Sequence, residues 1–123
     1  LDYTSARGVD GFDYLPGKIK TMYQYKAKLN RVVDGDTVNL TIDLGFRLTY
    51  TANCRLSGIN APEMSTEEGK TSKIALTIML GSGDKVTINS TGLDKYGRPI
   101  VEILRKDTTV NKIMLEQGHA KPY

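Results

Sequence analysis

The chain is poor in the residues that make covalent or metal-stapled frameworks. Its 123 residues include one cysteine, Cys54, one histidine, His119, and no tryptophan. A single thiol excludes an intrachain disulfide and a cysteine-rich zinc centre. Cys54 lies among apolar strand residues, where a buried, unreactive thiol is expected rather than a nucleophile. His119 stands just past a helix stop at Gly118, so a partly solvated histidine near the last helix carbonyls accounts for it better than a general base. No apolar run is long enough to cross a bilayer as a helix. Neither sign of charge dominates: the net charge of +3 permits a polyanionic partner without requiring one. Internal repeats and low-complexity tracts are absent.

What is present suits a packed core. Hydrophobic residues make up 39% and charged residues 25%, so disorder is not the default, and the length suits one domain. The sequence begins at Leu1 rather than Met. A cleaved secretory signal or a fragment would each account for that, and a secreted or cell-surface setting is compatible with it. Residues 1–22 are polar and glycine-dotted, and read as an arm or irregular extension that packs, if at all, through Tyr3, Phe12, Tyr14 and Leu15. Residues 23–123 read as one domain.

Alternation starts at Tyr23, with Tyr25, Ala27 and Leu29 on one face and Lys26, Lys28 and Asn30 on the other. It resumes at Val38, Leu40 and Ile42, and again, after "DLGF", at Leu48, Tyr50, Ala52, Cys54 and Leu56. These are three meander strands with one wet face each. Ser65 and Glu68 form an S-x-x-E capping box, and Ile74, Ala75, Ile78 and Met79 an apolar stripe at helical spacing. "GSGD" stops that helix. Val86 and Ile88 mark a fourth strand and Ile100 to Leu104 a fifth. A last helix fits Val110 to Gln117, with Val110, Ile113 and Met114 inward. Five short strands with a helix between the third and fourth and another at the C-terminus predict an OB-type β-barrel with helices.

Three segments carry candidate chemistry. In "VVDGDTV", Asp34 and Asp36 flank a glycine where one strand hands over to the next. A tight turn accounts for D-G; carboxylates so placed also suit a hard cation. The spacing is not that of an EF-hand loop, which needs further oxygen ligands and a glutamate at its twelfth position. In "RLSGINAPE", Arg55 can be a solvated sheet-edge residue, Asn60 an Asx-turn residue before Pro62, and Glu63 a carboxylate favoured near a helix start. In "DKYGRP", a solvated hairpin competes with a basic, aromatic contact for a phosphate and a base.

Together, "DGDT", "RL-x-GINAPE" and "DKYGR", in that order, resemble the staphylococcal nuclease (thermonuclease) family. The resemblance runs from about Tyr25 to Tyr123 and includes the "VN…LEQGHAK" tail. It implies an OB-fold, Ca²⁺-dependent phosphodiesterase that cuts DNA and RNA to leave 3′-phosphate ends. Carried over by position, Arg55 and Arg98 resemble the two phosphate-gripping arginines, and Glu63 the residue that orients or deprotonates the attacking water. Asp36 resembles the metal aspartate, the backbone carbonyl of Ala61 a main-chain metal ligand, and Asp34 an outer-shell acid. Lys95 and Tyr96 resemble nucleotide-end contacts. Asn60 departs from the pattern: the best-known member has a second metal aspartate there. An amide oxygen can still bind Ca²⁺, with one formal charge fewer. That member also continues into a further helix, and Tyr123 is left unassigned.

The implied partner is DNA or RNA as substrate, with no membrane partner, and the protein is expected to be a monomer. The competing reading is a catalytically weak or inactive module that holds single-stranded nucleic acid or a protein, with Lys26, Lys28, Arg31, Arg47 and Lys95 on its basic face.

Overall fold

The computed structural model describes residues 22–123; the N-terminal arm read over residues 1–22 lies, Met22 apart, outside them. Five long strands form the body: β1 (Tyr23–Asp34), β2 (Thr37–Gly45), β3 (Leu48–Leu56), β5 (Lys85–Leu93) and β6 (Pro99–Arg105). Short pairs complete the set: β4 (Ile59–Asn60), β7 (Thr108–Thr109) and β8 (Lys121–Pro122). Helix α1 (Glu67–Met79) lies between β4 and β5, and α2 (Val110–Glu116) follows β7.

β1 pairs antiparallel with β2 and β5, β2 with β3, and β5 with β6. A parallel pairing of β3 with β6 closes the ring. This is the five-stranded OB-type barrel that the sequence predicts, and closure removes the open sheet edges. It also positions the site. Arg55 stands in register with Ile100, so Arg98, two residues earlier on the same pleat face, comes beside Arg55 at one mouth of the barrel.

Inward alternation fills the interior with Ala27, Leu29, Val38, Leu40, Ile42, Cys54, Leu56, Ile88, Val101 and Ile103, all buried. Burial pushes the Cys54 thiol up to about 11, in keeping with the expected unreactive thiol. On β3 the alternation outruns the core: Leu48 and Tyr50 are exposed at the far mouth. Met114 and Val110 of α2 are fully buried, as expected, while Ile113 is half-buried. Buried Asn111 ties α2 down, donating to the carbonyls of Ser57 and Val101 and accepting the Ile103 amide.

Helix α1 corrects two expectations. Its N-cap is Thr66 rather than Ser65: the Thr66 hydroxyl accepts the Gly69 amide at 3.0 Å, which leaves the expected Glu68 partner without that role. Its buried face is Gly69, Ser72 and Leu76, whereas Ile74 and Ile78 are 58% and 81% exposed. Only Ala75 and Met79 of the expected stripe pack against the core. The helix meets the barrel mainly through small residues, which a hydrophobic periodicity does not register. Leu76 alone is a full core anchor; truncating it to Ala costs about 2–5 kcal/mol.

Candidate active site

The site begins at two irregularities in β1, between Leu29 and Arg31 and between Val32 and Asp34, which bend the strand just before the "DGD" turn. The turn is sealed by local bonds. The Asp34 carboxylate accepts the Asp36 amide at 3.0 Å, and the Asp36 carbonyl accepts the Leu56 amide at 2.8 Å. Gly35 is needed for the close approach to α1: a Cβ there would lie 1.9 Å from the Ser72 hydroxyl and 2.8 Å from the Ala61 Cβ.

Asp36 is nearly buried, 8% exposed. Its Oδ1 accepts the Thr37 hydroxyl at 3.0 Å, and its Oδ2 accepts the Ala61 amide at 2.8 Å. Oδ2 also lies 3.3 Å from Arg55 Nη1. Burial, with the Asp36 carboxylate beside it, pushes the Asp34 carboxyl above its ordinary value.

Arg55 crosses the mouth. Its Nη1 donates to the Ile59 carbonyl at 2.9 Å, and more weakly to the Leu56 and Asp36 carbonyls; its Nη2 donates to Asn60 Oδ1 at 3.1 Å. Asn60 is therefore more than a turn residue, because its amide oxygen faces the guanidinium. β8 pairs with β4 and carries Tyr123 over Arg55, with the guanidinium carbon 5.3 Å from the ring centroid. No sequence signal assigned Tyr123 to this position.

Arg98 is held differently. Asp94 Oδ1 accepts the amides of Tyr96 and Arg98, and Oδ2 accepts Arg98 Nε at 2.8 Å. Desolvation raises the Asp94 carboxyl, but the Arg98 and Tyr96 amides and the Arg98 guanidinium outweigh it and hold it below its ordinary value. Both terminal amino groups of Arg98 are without a hydrogen bond among the described residues, so the edge that forks onto a phosphate is presented outward. Tyr96 is 72% exposed, with Arg98 and Lys95 each over its ring, at 5.4 and 5.2 Å. Asp94 escaped the sequence reading; an Asx-type turn at D-K-Y-G-R was its signal. Arg55, Arg98, Lys95, Tyr96 and Tyr123 line one pocket of about 390 Å³.

Glu63 stands apart from that pocket on the loop entering α1. Its carboxylate is exposed and makes no hydrogen bond or ion pair among the described residues. Its backbone is fixed: the carbonyl accepts the Thr66 hydroxyl at 2.7 Å and the Thr66 amide at 3.0 Å. A Cβ at Gly69 would lie 1.9 Å from that carbonyl, so glycine lets α1 carry this loop against its first turn.

Among the described residues no three His, Cys, Asp or Glu side chains converge as a metal cluster. Around Asp36, the Asp34 carboxylate accepts its amide, Ala61 donates its amide to Oδ2, and Asn60 Oδ1 shares the Arg55 guanidinium with it. The Asp36 carboxylate keeps lone pairs beyond its hydrogen bonds. An all-oxygen set of this kind fits a hard cation such as Ca²⁺, at low ligand charge.

A family model described as "Staphylococcal nuclease homologue" matches residues 53–123. The chain belongs to the staphylococcal nuclease family. It is 38% identical over 66 residues to a "Probable staphylococcal-like nuclease CAN2" of Oryza sativa subsp. japonica, a match covering 54% of this chain and 18% of that protein. It is 30% identical over 114 residues to "Endonuclease YhcR" of Bacillus subtilis (strain 168), covering 81% of this chain and 9% of that one. An "Uncharacterized 38.1 kDa protein" of Capnoides sempervirens is 32% identical over 123 residues, 89% of this chain and 36% of its own length. The chain thus spans well under half of the relatives it matches. Among the described residues no helix is long and apolar enough to cross a membrane.

Proposed function

We propose that this domain is a Ca²⁺-dependent nuclease that hydrolyses DNA and RNA phosphodiesters to leave 3′-phosphate ends. The observation that carries the reading is the meeting of Arg55 and Arg98 at one pocket, with the Asp36 carboxylate against Arg55. Two guanidinium groups flanking a phosphate suit the negative charge that builds on its non-bridging oxygens during hydrolysis. Tyr96 and Lys95 hold the adjoining nucleotide by stacking and charge. Glu63, on a loop preceded by Pro62 and anchored by Thr66, orients or deprotonates water for attack on phosphorus.

Asp36, Asn60, the Ala61 carbonyl and, one shell out, Asp34 are the residues that would hold Ca²⁺; when bound, the ion supplies Lewis-acid charge to the phosphate. With only an amide at position 60, a calcium-rich extracellular or cell-surface setting suits the site.

End-group analysis of DNA and RNA digests made in millimolar Ca²⁺ tests the reading. Products ending in 3′-phosphate are expected. Products ending in 5′-phosphate would contradict the roles given to these residues, and salt-sensitive binding without cleavage would make the domain a binding module.

A further inference from the structure

The outward face of the barrel carries charge that the pocket does not use. Lys26 and Lys28 of β1, Lys85 of β5 and Arg47 of the β2–β3 turn line a shallow groove of about 670 Å³, with Asp43 as its one acid. Lys28 and Lys85 stand in register on neighbouring strands, an arrangement that like-charge repulsion disfavours. Asp43 is committed to the hairpin, its Oδ1 accepting the Gly45 amide at 2.8 Å. Four cations against one acid make the groove complementary to a polyanion.

The adjoining turn is strained. Phe46 and Arg47 have φ of 55° and 65°, a left-handed pair for which hairpins favour Asn and Gly. Phe46 is 97% exposed, so packing among the described residues gives no reason for a large aromatic there, and strain of this kind collects at functional positions.

Groove and pocket are joined. Asn39 and Thr41 of β2 stand in register with Asn53 and Thr51 of β3 on the outward face, and buried Thr37 stands in register with Arg55. Side-chain hydrogen bonds brace this row: Asn39 to Asn53 at 2.8 Å, and Thr41 with Thr51 at 3.0 Å. It is polar and uncharged, so it does not repel phosphates. It runs from Arg55 to the turn at Phe46, about 30 Å at ~3.3 Å per strand residue.

We propose that this row is a second track for single-stranded nucleic acid. It extends, and rests on, the nuclease reading. A strand held at the Arg55–Arg98 pocket continues over the Asn/Thr row, its phosphates meet Lys28 and Lys85, and one unpaired base stacks on Phe46. That span matches the roughly 4–16 nucleotides a barrel of this kind takes.

The test compares Lys28→Gln/Lys85→Gln and Phe46→Gly with the parent on 4- and 20-nucleotide oligothymidylates, by cleavage and by fluorescence anisotropy. For both variants kcat/KM and affinity fall roughly tenfold on the 20-mer and change less than about twofold on the 4-mer. The double variant also flattens the plot of log affinity against log salt by about 1.4, two phosphate contacts at ~0.7 each. Phe46→Gly relieves the left-handed strain, so its melting temperature does not fall while its affinity does. Equal losses on both lengths, an unchanged salt slope, or a duplex bound as tightly as the single strand overturns the track. If the parent cuts neither oligonucleotide, the nuclease reading fails, and anisotropy on the 20-mer alone decides the track: weakened binding upholds it and unchanged binding overturns it.

Discussion

Arg55 and Asp36 are bound to each other across the mouth of the barrel, Nη1 to Oδ2 at 3.3 Å, with both side chains largely buried. The same guanidinium holds the Ile59 carbonyl and the Asn60 amide oxygen. Arg55 is therefore a structural brace as well as the proposed phosphate ligand, whereas the Arg98 side chain is tethered among the described residues through Nε to Asp94.

That asymmetry separates the two arginines experimentally. Arg55→Ala lowers activity and also stability, by about 1.5–3 kcal/mol for the lost charged hydrogen bonds. Arg98→Ala lowers kcat/KM by about 10²–10³ with little change in melting temperature, and Arg98→Lys recovers little because the fork is lost. Thermal unfolding and steady-state kinetics on the three variants check this; an Arg55→Ala protein as stable as the parent would contradict the bracing role.

Asp94 holds Arg98 at the proposed phosphate site. Asp94→Asn keeps the turn's acceptor oxygen but removes the negative charge that faces Arg98 Nε, and a higher KM is expected. The sign of its pH dependence follows from the lowered carboxyl. Its contribution to stability is present above the unfolded-state value and is lost as pH falls through the lower folded value. The parent-minus-variant stability gap should therefore close on acidification; a gap that widens as pH falls would contradict the assignment.

Gly69→Ala inverts an ordinary rule. Alanine normally stabilises a helix over glycine by roughly 1 kcal/mol. Here its Cβ would collide with the Glu63 carbonyl, so a lower melting temperature and weaker cleavage are expected together. A stabilised, fully active Gly69→Ala protein would show that α1 does not position Glu63.

Asn60→Asp restores a carboxylate beside Asp36. Calorimetric titration should show Ca²⁺ affinity rising, on the order of tenfold, as ligand charge increases. Unchanged affinity would remove Asn60 from the proposed donor set.

Much of this was legible in sequence because period-2 alternation holds through the buried part of the barrel, from Ala27 and Leu29 to Val101 and Ile103, although at Leu48 and Tyr50 it runs past the core. The α1 face was not, because Gly69 and Ser72 bury by fitting closely rather than by being apolar, while Ile74 and Ile78 carry the hydrophobic signal on the solvent side. The three motifs marked the mouth, and the parallel closure at Arg55 and Ile100 shows how residues so far apart in sequence meet. The Asp94 tether leaves only the Asx-type turn signal at D-K-Y-G-R, and the Tyr123 contact depends on β4–β8 pairing, which leaves no composition trace.

The most direct measurement is cleavage of labelled single-stranded DNA by the parent and by Glu63→Gln, with Ca²⁺, with Mg²⁺ and with chelator, on protein shown by circular dichroism to be folded. Cleavage that requires Ca²⁺ and falls about 10²–10⁴-fold in the variant is expected. Equal cleavage by a folded Glu63→Gln protein, or cleavage that persists in chelator, would contradict the proposed mechanism at its centre.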